Sequence, residues 1–177
     1  MARPGRINRL GRVAIQPPGA LSHAAACVAF ALLDADVTYH TSGYGEQEDA
    51  YLRLNTASRH VEASTADFLF LFGTGSPAPL HEARTGLLAY PDASATAVLQ
   101  VGPIGKSSAT GGLQLELSGP GIESREIVFV AGLRPEFLEI LAERNREFPL
   151  GLDAILVSPD DCVLCLPRTT KVAWTNL

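Results

Sequence analysis

The chain has 177 residues, the usual size of a single domain, and at this length folding buries about 70% of the surface of the unfolded chain. Hydrophobic residues make up 46% and charged residues 19%, which excludes a disordered chain. The 16 glycines and 12 prolines follow no three-residue period, which excludes a collagen-like chain. Its 14 basic and 19 acidic side chains give a net charge of −5, the wrong sign for a general nucleic-acid binder.

The first third of the chain predicts one helix and one strand. Residues 1–19 are rich in Arg, Pro and Gly and are predicted to be mostly irregular. Apolar residues recur at helical spacing over residues 20–34, which predicts a buried helix. A short strand is predicted at residues 37–40, followed by a polar turn region over residues 41–49. The pattern of residues 50–62 assigns no element.

The apolar run at residues 20–33 has an alternative interpretation as part of a signal peptide. A basic start before a short apolar run is typical of such peptides, and four arginines precede this one. These arginines are Arg3, Arg6, Arg9 and Arg12. The run is shorter than the roughly 20 residues that a membrane-spanning helix needs, and His23 interrupts it. We therefore predict a core helix in a cytoplasmic protein with no membrane association, and export is the alternative.

The middle of the chain predicts mainly strands. Residues 66–72 form an aromatic and aliphatic run that only Asp67 interrupts, typical of a central strand buried on both faces. A short helix is predicted at residues 80–89 and a strand at residues 96–101. Leucines alternate with polar residues over residues 113–117, which predicts a strand with one face in the core. Residues 127–130 predict another strand.

The last third predicts a helix and a hairpin. A helix is predicted to begin at Arg134-Pro135 and to end near Arg146, because proline is tolerated in the first turn of a helix. Residues 154–157 and 162–166 are predicted to form a hairpin around a Ser-Pro-Asp-Asp turn. Together these elements predict one α/β domain over residues 1–177, with a mixed β-sheet flanked by helices.

Cysteine and histidine give little support for a metal site. Cys162 and Cys165 form a C-x-x-C motif, but residues three apart on a strand point to opposite faces and cannot share a metal or a disulfide. We predict two core side chains there. The four histidines show no metal-ligand spacing; they are His23, His40, His60 and His81. We predict no metal.

Catalytic signatures are weak as well. The segment 102–107 resembles a phosphate loop, but it has only two residues between its glycines and no helix is predicted after it. Asp67 begins the most hydrophobic strand and is either a catalytic carboxylate or, as we prefer, a side chain bonded to backbone or arginine at the rim of the sheet. We therefore predict no catalytic residue and no cofactor.

Three segments combine glycine turns with arginine or hydroxyl groups. Arginine binds phosphate, phosphonate and carboxylate groups through two parallel hydrogen bonds, and this chain has 12 arginines beside only Lys106 and Lys171. Glycine turns expose N–H groups that bind anions, although a simple tight turn explains them as well. The ligand or partner candidates in these segments are Arg3, Ser118, Gly119, Gly121, Arg168, Thr169 and Thr170. A solvated tail is the alternative for Arg168 and the two threonines.

These segments also carry a resemblance to a known family. The sequences MARPGRI, SGPGI, FPLGLDAILV and LPRTTKV occur in this order, and Ala66-Asp-Phe68 and Ser94-Ala-Thr96 match the same pattern. The chain thereby resembles PhnH, the H subunit of the bacterial carbon–phosphorus lyase system, over nearly its whole length. Members usually carry a helical segment before MARPG, and we expect that segment to be absent here.

The resemblance implies a fold related to the pyridoxal-phosphate-dependent transferases, without the cofactor. It implies a homodimer within a larger complex with the G, I and J subunits, which converts alkylphosphonates to ribose 1-phosphonate 5-triphosphates before the carbon–phosphorus bond is broken. The H subunit is accessory in this family and has no assigned catalytic residue. We therefore expect an accessory, complex-forming subunit; the alternative is an enzyme that binds phosphonates or nucleotides by itself.

Overall fold

The chain folds into a central β-sheet covered by helices on one face and by helices and a smaller sheet on the other. The computed structural model describes residues 3–177. The strands are β1 (Ile7–Arg9), β2 (Thr38–Ser42), β3 (Arg59–His60), β4 (Phe68–Phe72), β5 (Thr85–Leu87), β6 (Tyr90–Ser94), β7 (Thr96–Gln100), β8 (Ile104–Gly105), β9 (Leu113–Ser118), β10 (Glu126–Val130), β11 (Asp153–Val157), β12 (Cys162–Leu166) and β13 (Lys171–Asn176). The helices are α1 (His23–Leu32), α2 (Glu46–Thr56), α3 (Ala78–Glu82) and α4 (Pro135–Arg144).

The central sheet has seven strands in the order β1-β12-β11-β7-β4-β2-β3. Strands β3, β2, β4, β7 and β11 run parallel. At one edge, β12 pairs antiparallel with β11, and β1 pairs antiparallel with β12. Strand β4 lies in the middle of the parallel part, and Leu69, Phe70 and Leu71 are fully buried. This confirms the prediction of a strand covered on both faces, in a single α/β domain with a mixed sheet.

Two separate cores lie on the two faces of this sheet. On one face α1 and α2 cover Phe70, Val98 and Ile155. On the other face, α3, α4 and a four-stranded sheet in the order β13-β9-β10-β8 cover Leu71 and Leu99. Strands β5 and β6 form a separate two-stranded hairpin. The small sheet fits the leucine alternation of β9, whose side chains alternate between buried and half-buried along the strand.

Several predicted elements are confirmed at nearly their predicted positions. Strands β11 and β12 form the expected antiparallel hairpin. Cys162 packs into one core and Cys165 against the other, so the two thiols lie on opposite faces of β12 as predicted. The carboxylate of Asp67 accepts hydrogen bonds from Thr38 and, at 2.5 Å, from Arg84. Asp67 therefore has the structural role that we preferred at the rim of the sheet.

The predicted boundaries of several other helices and strands were wrong. The polar turn ends at Gly45, and α2 occupies most of the segment that the sequence left unassigned. This helix was missed because only Glu48, Leu52 and Thr56 are buried, so it has almost no apolar stripe. The helix predicted at residues 80–89 ends at Glu82, where the chain turns into the β5–β6 hairpin. The segment predicted to be irregular at the N-terminus contains β1, and β13 was not predicted.

An irregular arm follows β1 and is attached to α1 by one histidine. His23 Nδ1 lies 2.8 Å from Asp161 Oδ1, and His23 Nε2 lies 3.0 Å from the Val13 carbonyl oxygen. Both partners are acceptors, so the two contacts together require a protonated imidazole ring. The hydrogen bond to Asp161, followed by that to Val13, raises the pKa of His23 above its usual 6.5. The described residues contain no helix that is long and apolar enough to cross a membrane.

We predict that the His23 contacts stabilise the fold more at low pH. A raised pKa in the folded state gives a contribution that is complete below about pH 6.5 and is lost as the pH rises through the folded pKa. The difference in free energy of unfolding between the wild type and His23→Gln should therefore be largest near pH 5.5 and shrink by pH 8.5. Urea unfolding at both pH values measures it. An equal difference at both pH values would contradict a charged His23.

Candidate functional site

The usual ligand position in an open parallel sheet is filled by side chains of this chain. Ligands bind such sheets at the carboxyl ends of the strands, where the strand order reverses. Here the reversal lies between β2 and β4, with α2 on one face and α3 on the other. Just beyond these strand ends, Tyr44 stacks on Phe72 with ring centroids 4.4 Å apart, and burial raises the pKa of Tyr44. The Glu48 carboxylate accepts hydrogen bonds from the N–H groups of Ala20 and Gly45 and so caps α2.

Arg168 lies in a dense internal network instead of in a solvated tail. Its Nε and Nη2 atoms donate to the Asp153 carboxylate at 3.4 and 2.7 Å. Nη2 also donates to the Ser94 hydroxyl, and Nη1 donates to the carbonyl oxygens of Pro91 at 2.9 Å and Pro149 at 3.2 Å. A guanidinium group has five N–H donors. All five are used, so Arg168 has none left for a ligand.

This Arg168 network (Arg168, Asp153, Ser94, Pro91 and Pro149) joins four segments of the chain. Asp153 begins β11, Arg168 follows β12, and Pro91 and Ser94 belong to β6. The side chains of Arg168 and Asp153 are only 14% and 20% exposed, so solvent screens their ion pair weakly. Asp153 also accepts a hydrogen bond from the backbone N–H of Arg168 at 2.7 Å. The network therefore fixes the β5–β6 hairpin against the body of the domain.

Two candidate stretches, residues 118–119 and residues 169–170, lie next to each other where β9 ends and β13 begins. Ser118 pairs with Lys171, because β9 and β13 are adjacent and antiparallel. Gly119 has φ +126°, and a side chain there would place its Cβ 2.7 Å from the Thr169 carbonyl oxygen. Only glycine allows this approach. Thr170 donates its N–H to the Pro167 carbonyl oxygen in a turn, and its hydroxyl is buried without a partner.

Arg3 and Gly121 lie at a different place, where both line a cavity of about 550 Å³ that has charged and apolar side chains. Gly121 has φ +84° and approaches Pro4 closely enough that an added Cβ would lie 3.0 Å from its ring. Arg6 and Lys106 also line this cavity, and Lys106 forms an ion pair with Glu126. Within residues 3–177, neither Arg3 nor Arg6 forms an ion pair.

Arg3 and Arg168 line different cavities. Arg168 and Thr170 border an apolar cavity of about 230 Å³ between α4 and the chain that leads from β12 into β13. Its apolar lining includes Leu138, Leu141 and Leu166. Two sequence candidates, Arg3 and Gly121, thus line a cationic cavity at the N-terminal arm, and two others, Arg168 and Thr170, line an apolar cavity beside α4. Ser118, Gly119 and Thr169 line neither cavity.

The described residues offer little reactive chemistry. Cys27 Sγ lies 3.9 and 3.7 Å from the two ring nitrogens of His23, but both nitrogens already face the closer oxygens of Asp161 and Val13. Burial raises the pKa of the Cys27 thiol, which disfavours the thiolate. Within residues 3–177, no three or more His, Cys, Asp or Glu side chains form a group that could hold a metal ion.

Comparison with known proteins identifies the family. A family model described as bacterial phosphonate metabolism protein (PhnH) matches residues 1–173. The chain belongs to the PhnH family. The resemblance inferred from the ordered sequence motifs is therefore confirmed.

Two relatives show which proteins the chain is similar to. The first, from Rhizobium meliloti (strain 1021), is named alpha-D-ribose 1-methylphosphonate 5-triphosphate synthase subunit PhnH. It is 33% identical over 174 residues, which is 97% of this chain and 84% of the relative. The second, from Stutzerimonas stutzeri, is named putative C-P lyase subunit protein HtxG. It is 34% identical over 162 residues, which is 92% of this chain and 77% of the relative.

The PhnH motifs meet around the end of β12. The N–H of Gly5 in the first motif points to the Cys165 carbonyl oxygen, Gly119 in the second approaches Thr169, and Asp153 binds Arg168. Ser94, which belongs to a further matching segment, joins the same network. The motif side chains of Ser94 and Asp153 therefore both bind the motif side chain of Arg168. The partners of Arg168 lie 15, 19, 74 and 77 residues away, and no local pattern predicts such contacts.

We predict that the Arg168 network stabilises the fold. Replacement of Arg168 by Ala leaves the Asp153 carboxylate half-buried without its cation, which should lower the free energy of unfolding by about 3 kcal/mol. Arg168→Lys should also be destabilising, because an ammonium group cannot span the carboxylate, the hydroxyl and both carbonyls at once. Urea unfolding measures both effects.

A matched control is Arg125→Ala. Arg125 pairs with Glu116 at 2.8 Å, but the arginine side chain is 71% exposed, so its loss should change the free energy of unfolding by less than about 1 kcal/mol. Equal losses in the Arg125 and Arg168 variants would contradict the structural role of Arg168.

Proposed function

We propose that this chain is an accessory, complex-forming subunit of the carbon–phosphorus lyase core complex, acting in ribose 1-methylphosphonate 5-triphosphate synthesis during phosphonate catabolism. The observation that carries the proposal is the family match along 173 residues, together with two relatives that are each named as a subunit. A match of this extent covers both cores, the small sheet and the Arg168 network. It is not confined to one ligand-binding motif.

The arrangement of polar groups supports an accessory role. Tyr44 and Phe72 fill the strand ends where a ligand normally binds, and Glu48 caps α2. Arg168, the most deeply placed of the candidate arginines, donates all its N–H groups within the chain. An enzyme in contrast keeps its charged groups free to meet the reacting atoms.

Further features of the proposal come from the family resemblance. The expected partners are the G, I and J subunits, and the chain is expected to form a homodimer in the cytoplasm. The fold is expected to be related to the pyridoxal-phosphate-dependent transferases without binding their cofactor. Only two lysines, Lys106 and Lys171, are present to form a Schiff base, and Lys106 is paired with Glu126.

Purified subunits test this function directly. Tagged wild-type chain should retain co-expressed G, I and J subunits at micromolar concentration, and the mixture should elute as one assembly from a sizing column. A tagged, unrelated protein of similar acidic charge is the control. Separate elution of the chain from all three subunits would overturn the proposal.

The cationic cavity favours a second function, the binding of a phosphorylated or phosphonate ligand by the isolated chain. Arg3, Arg6 and Lys106 line it together with Glu123 and Glu126. The Lys106–Glu126 pair is neutral overall, which leaves two arginines against one glutamate. Arginine binds phosphate and phosphonate oxygens through paired hydrogen bonds, so the excess positive charge suits such an anion.

We predict for this second function that millimolar ATP with methylphosphonate raises the melting temperature. Ligand that binds only the native state stabilises it by mass action, and 1 kcal/mol shifts the melting temperature by about 2–4 °C at this chain length. Arg3→Ala with Arg6→Ala should remove the shift. Arg59→Ala, an exposed arginine on edge strand β3, should keep it. An unchanged melting curve in the wild type would exclude the second function.

A further inference from the structure

Exposed apolar side chains concentrate at one corner of the domain. Residues 3–177 contain eight large apolar side chains that are exposed, and four of these lie on the β5–β6 hairpin or next to it. They are Leu87, Leu88, Tyr90 and Phe148, with exposed fractions of 66%, 77%, 65% and 70%. We name these four residues the hairpin patch. Contiguous exposed patches of this kind mark interaction surfaces on soluble proteins.

The Arg168 network brings the two parts of the hairpin patch together. One atom, Arg168 Nη1, donates to the carbonyl oxygens of both Pro91 and Pro149. Tyr90 and Phe148 directly precede these prolines, so the shared donor holds the two parts of the patch at the same side of the domain. The N–H of Gly151 also donates to the Thr85 carbonyl oxygen at 2.9 Å, which attaches β5 to the same loop.

Local folding does not explain the apolar residues of the hairpin. Leu87 pairs with Tyr90, so the turn consists of Leu88 and Ala89 alone. Two-residue hairpin turns favour Asn, Asp and Gly. An isolated two-stranded hairpin is also only marginally stable, yet this one is held by Arg168 and Gly151. The fold therefore presents exposed leucines on a rigid support, and a rigid surface loses little conformational entropy on binding.

The charges around the hairpin patch are mainly acidic. Glu143, Arg144, Arg146 and Glu147 line a groove of about 570 Å³ with Thr85 at the base of the hairpin. Asp92 on β6 and Glu82 at the end of α3 are exposed as well. None of these four acids and two arginines belongs to an ion pair within residues 3–177. Four acids against two arginines give the border of the patch a net negative charge.

This charge distribution indicates the kind of partner. A two-fold contact between identical copies would place the same acidic border against itself, and like charges across an interface oppose association. A different polypeptide with an apolar socket bordered by Lys or Arg is complementary in both respects. A stable interface buries about 800 Å² per partner, and four exposed large side chains beside a groove supply the apolar centre of such an area.

We propose that the hairpin patch docks a different subunit of the complex, through an apolar socket with a basic border on that subunit. This inference rests on the proposed function, because it names the surface that the accessory subunit uses. The Arg168 network then acts as the support that holds the docking hairpin in position.

Binding of the full chain to the purified assembly of G, I and J subunits tests the inference. The variant Leu87→Ser/Leu88→Ser/Tyr90→Ser removes the apolar side chains of the hairpin without touching the Arg168 network. Its dissociation constant should rise at least about 30-fold, the effect of losing central interface residues. The control Leu54→Ser/Ile127→Ser removes apolar side chains that are 80% and 46% exposed elsewhere, and it should bind as the wild type does.

A charge variant tests the basic border separately. Asp92→Lys/Glu147→Lys should weaken binding and slow association, and the difference from the wild type should shrink at high salt. Unchanged melting temperatures show that every variant is folded.

The outcomes distinguish the inference from the function on which it rests. Wild-type chain that fails to bind the assembly overturns the function and the inference together. Wild-type affinity in the hairpin variant, or an equal loss in the Leu54/Ile127 control, overturns the inference alone. If light scattering shows that the hairpin variant changes the mass of the free chain, a second copy occupies the patch, and the inference is wrong.

Discussion

The ion pair between Arg168 and Asp153 is the constraint on which the rest of this structure depends. Both side chains are largely removed from solvent, and an isolated charge at such a position is costly, so each residue requires the other. The planar guanidinium group then has three further donor directions, which reach Ser94, Pro91 and Pro149. A single side chain thereby fixes β6 against residues 149–153, although β6 lies at least 74 residues away from Arg168 in sequence.

Because of this ion pair, the motif that contains Arg168 has a structural role and does not form the anion site that its sequence suggests. A free arginine beside two threonines predicts an anion site, but here the arginine is internal and the nearby cavity is apolar. Among the positive charges outside ion pairs, those of Arg3 and Arg6 lie together at the N-terminal arm, where they line one cavity with Gly121. The exposed apolar area lies on the hairpin that Arg168 supports. The two proposed binding surfaces are thus separate and differ in chemistry, one being cationic and the other apolar.

The sequence predicted the parallel centre of the sheet well and its periphery poorly. The apolar run that became β4 and the β11–β12 hairpin have strong local patterns, because a strand buried on both faces requires continuous apolar residues. Helix α2 has almost no apolar stripe, and β13 is an edge strand whose pairing with β9 is distant in sequence. Long-range pairing of this kind leaves little trace in any short window.

The sequence predicted which residues to consider for the candidate site, but it did not predict which of them contact each other. Glycine at positions 119 and 121 indicated tight turns, and both have positive φ beside another segment. The motifs of the family also contained Ser94 and Asp153, but nothing in the sequence shows that both bind Arg168. The exposed leucines of the hairpin carry no motif at all, because only the three-dimensional structure shows which apolar side chains remain outside the cores.

Hydrogen–deuterium exchange of the free chain tests most directly whether Arg168 holds the hairpin. Amide exchange in residues 85–94 should be slow in the wild type and much faster in Arg168→Lys, while β4 and β7 in the same variant keep their protection, because local opening follows the loss of local contacts. Equal exchange in the two proteins over residues 85–94 would contradict the account. Faster exchange spread evenly over all strands would contradict it as well, since Arg168 would then support the whole fold and not the hairpin.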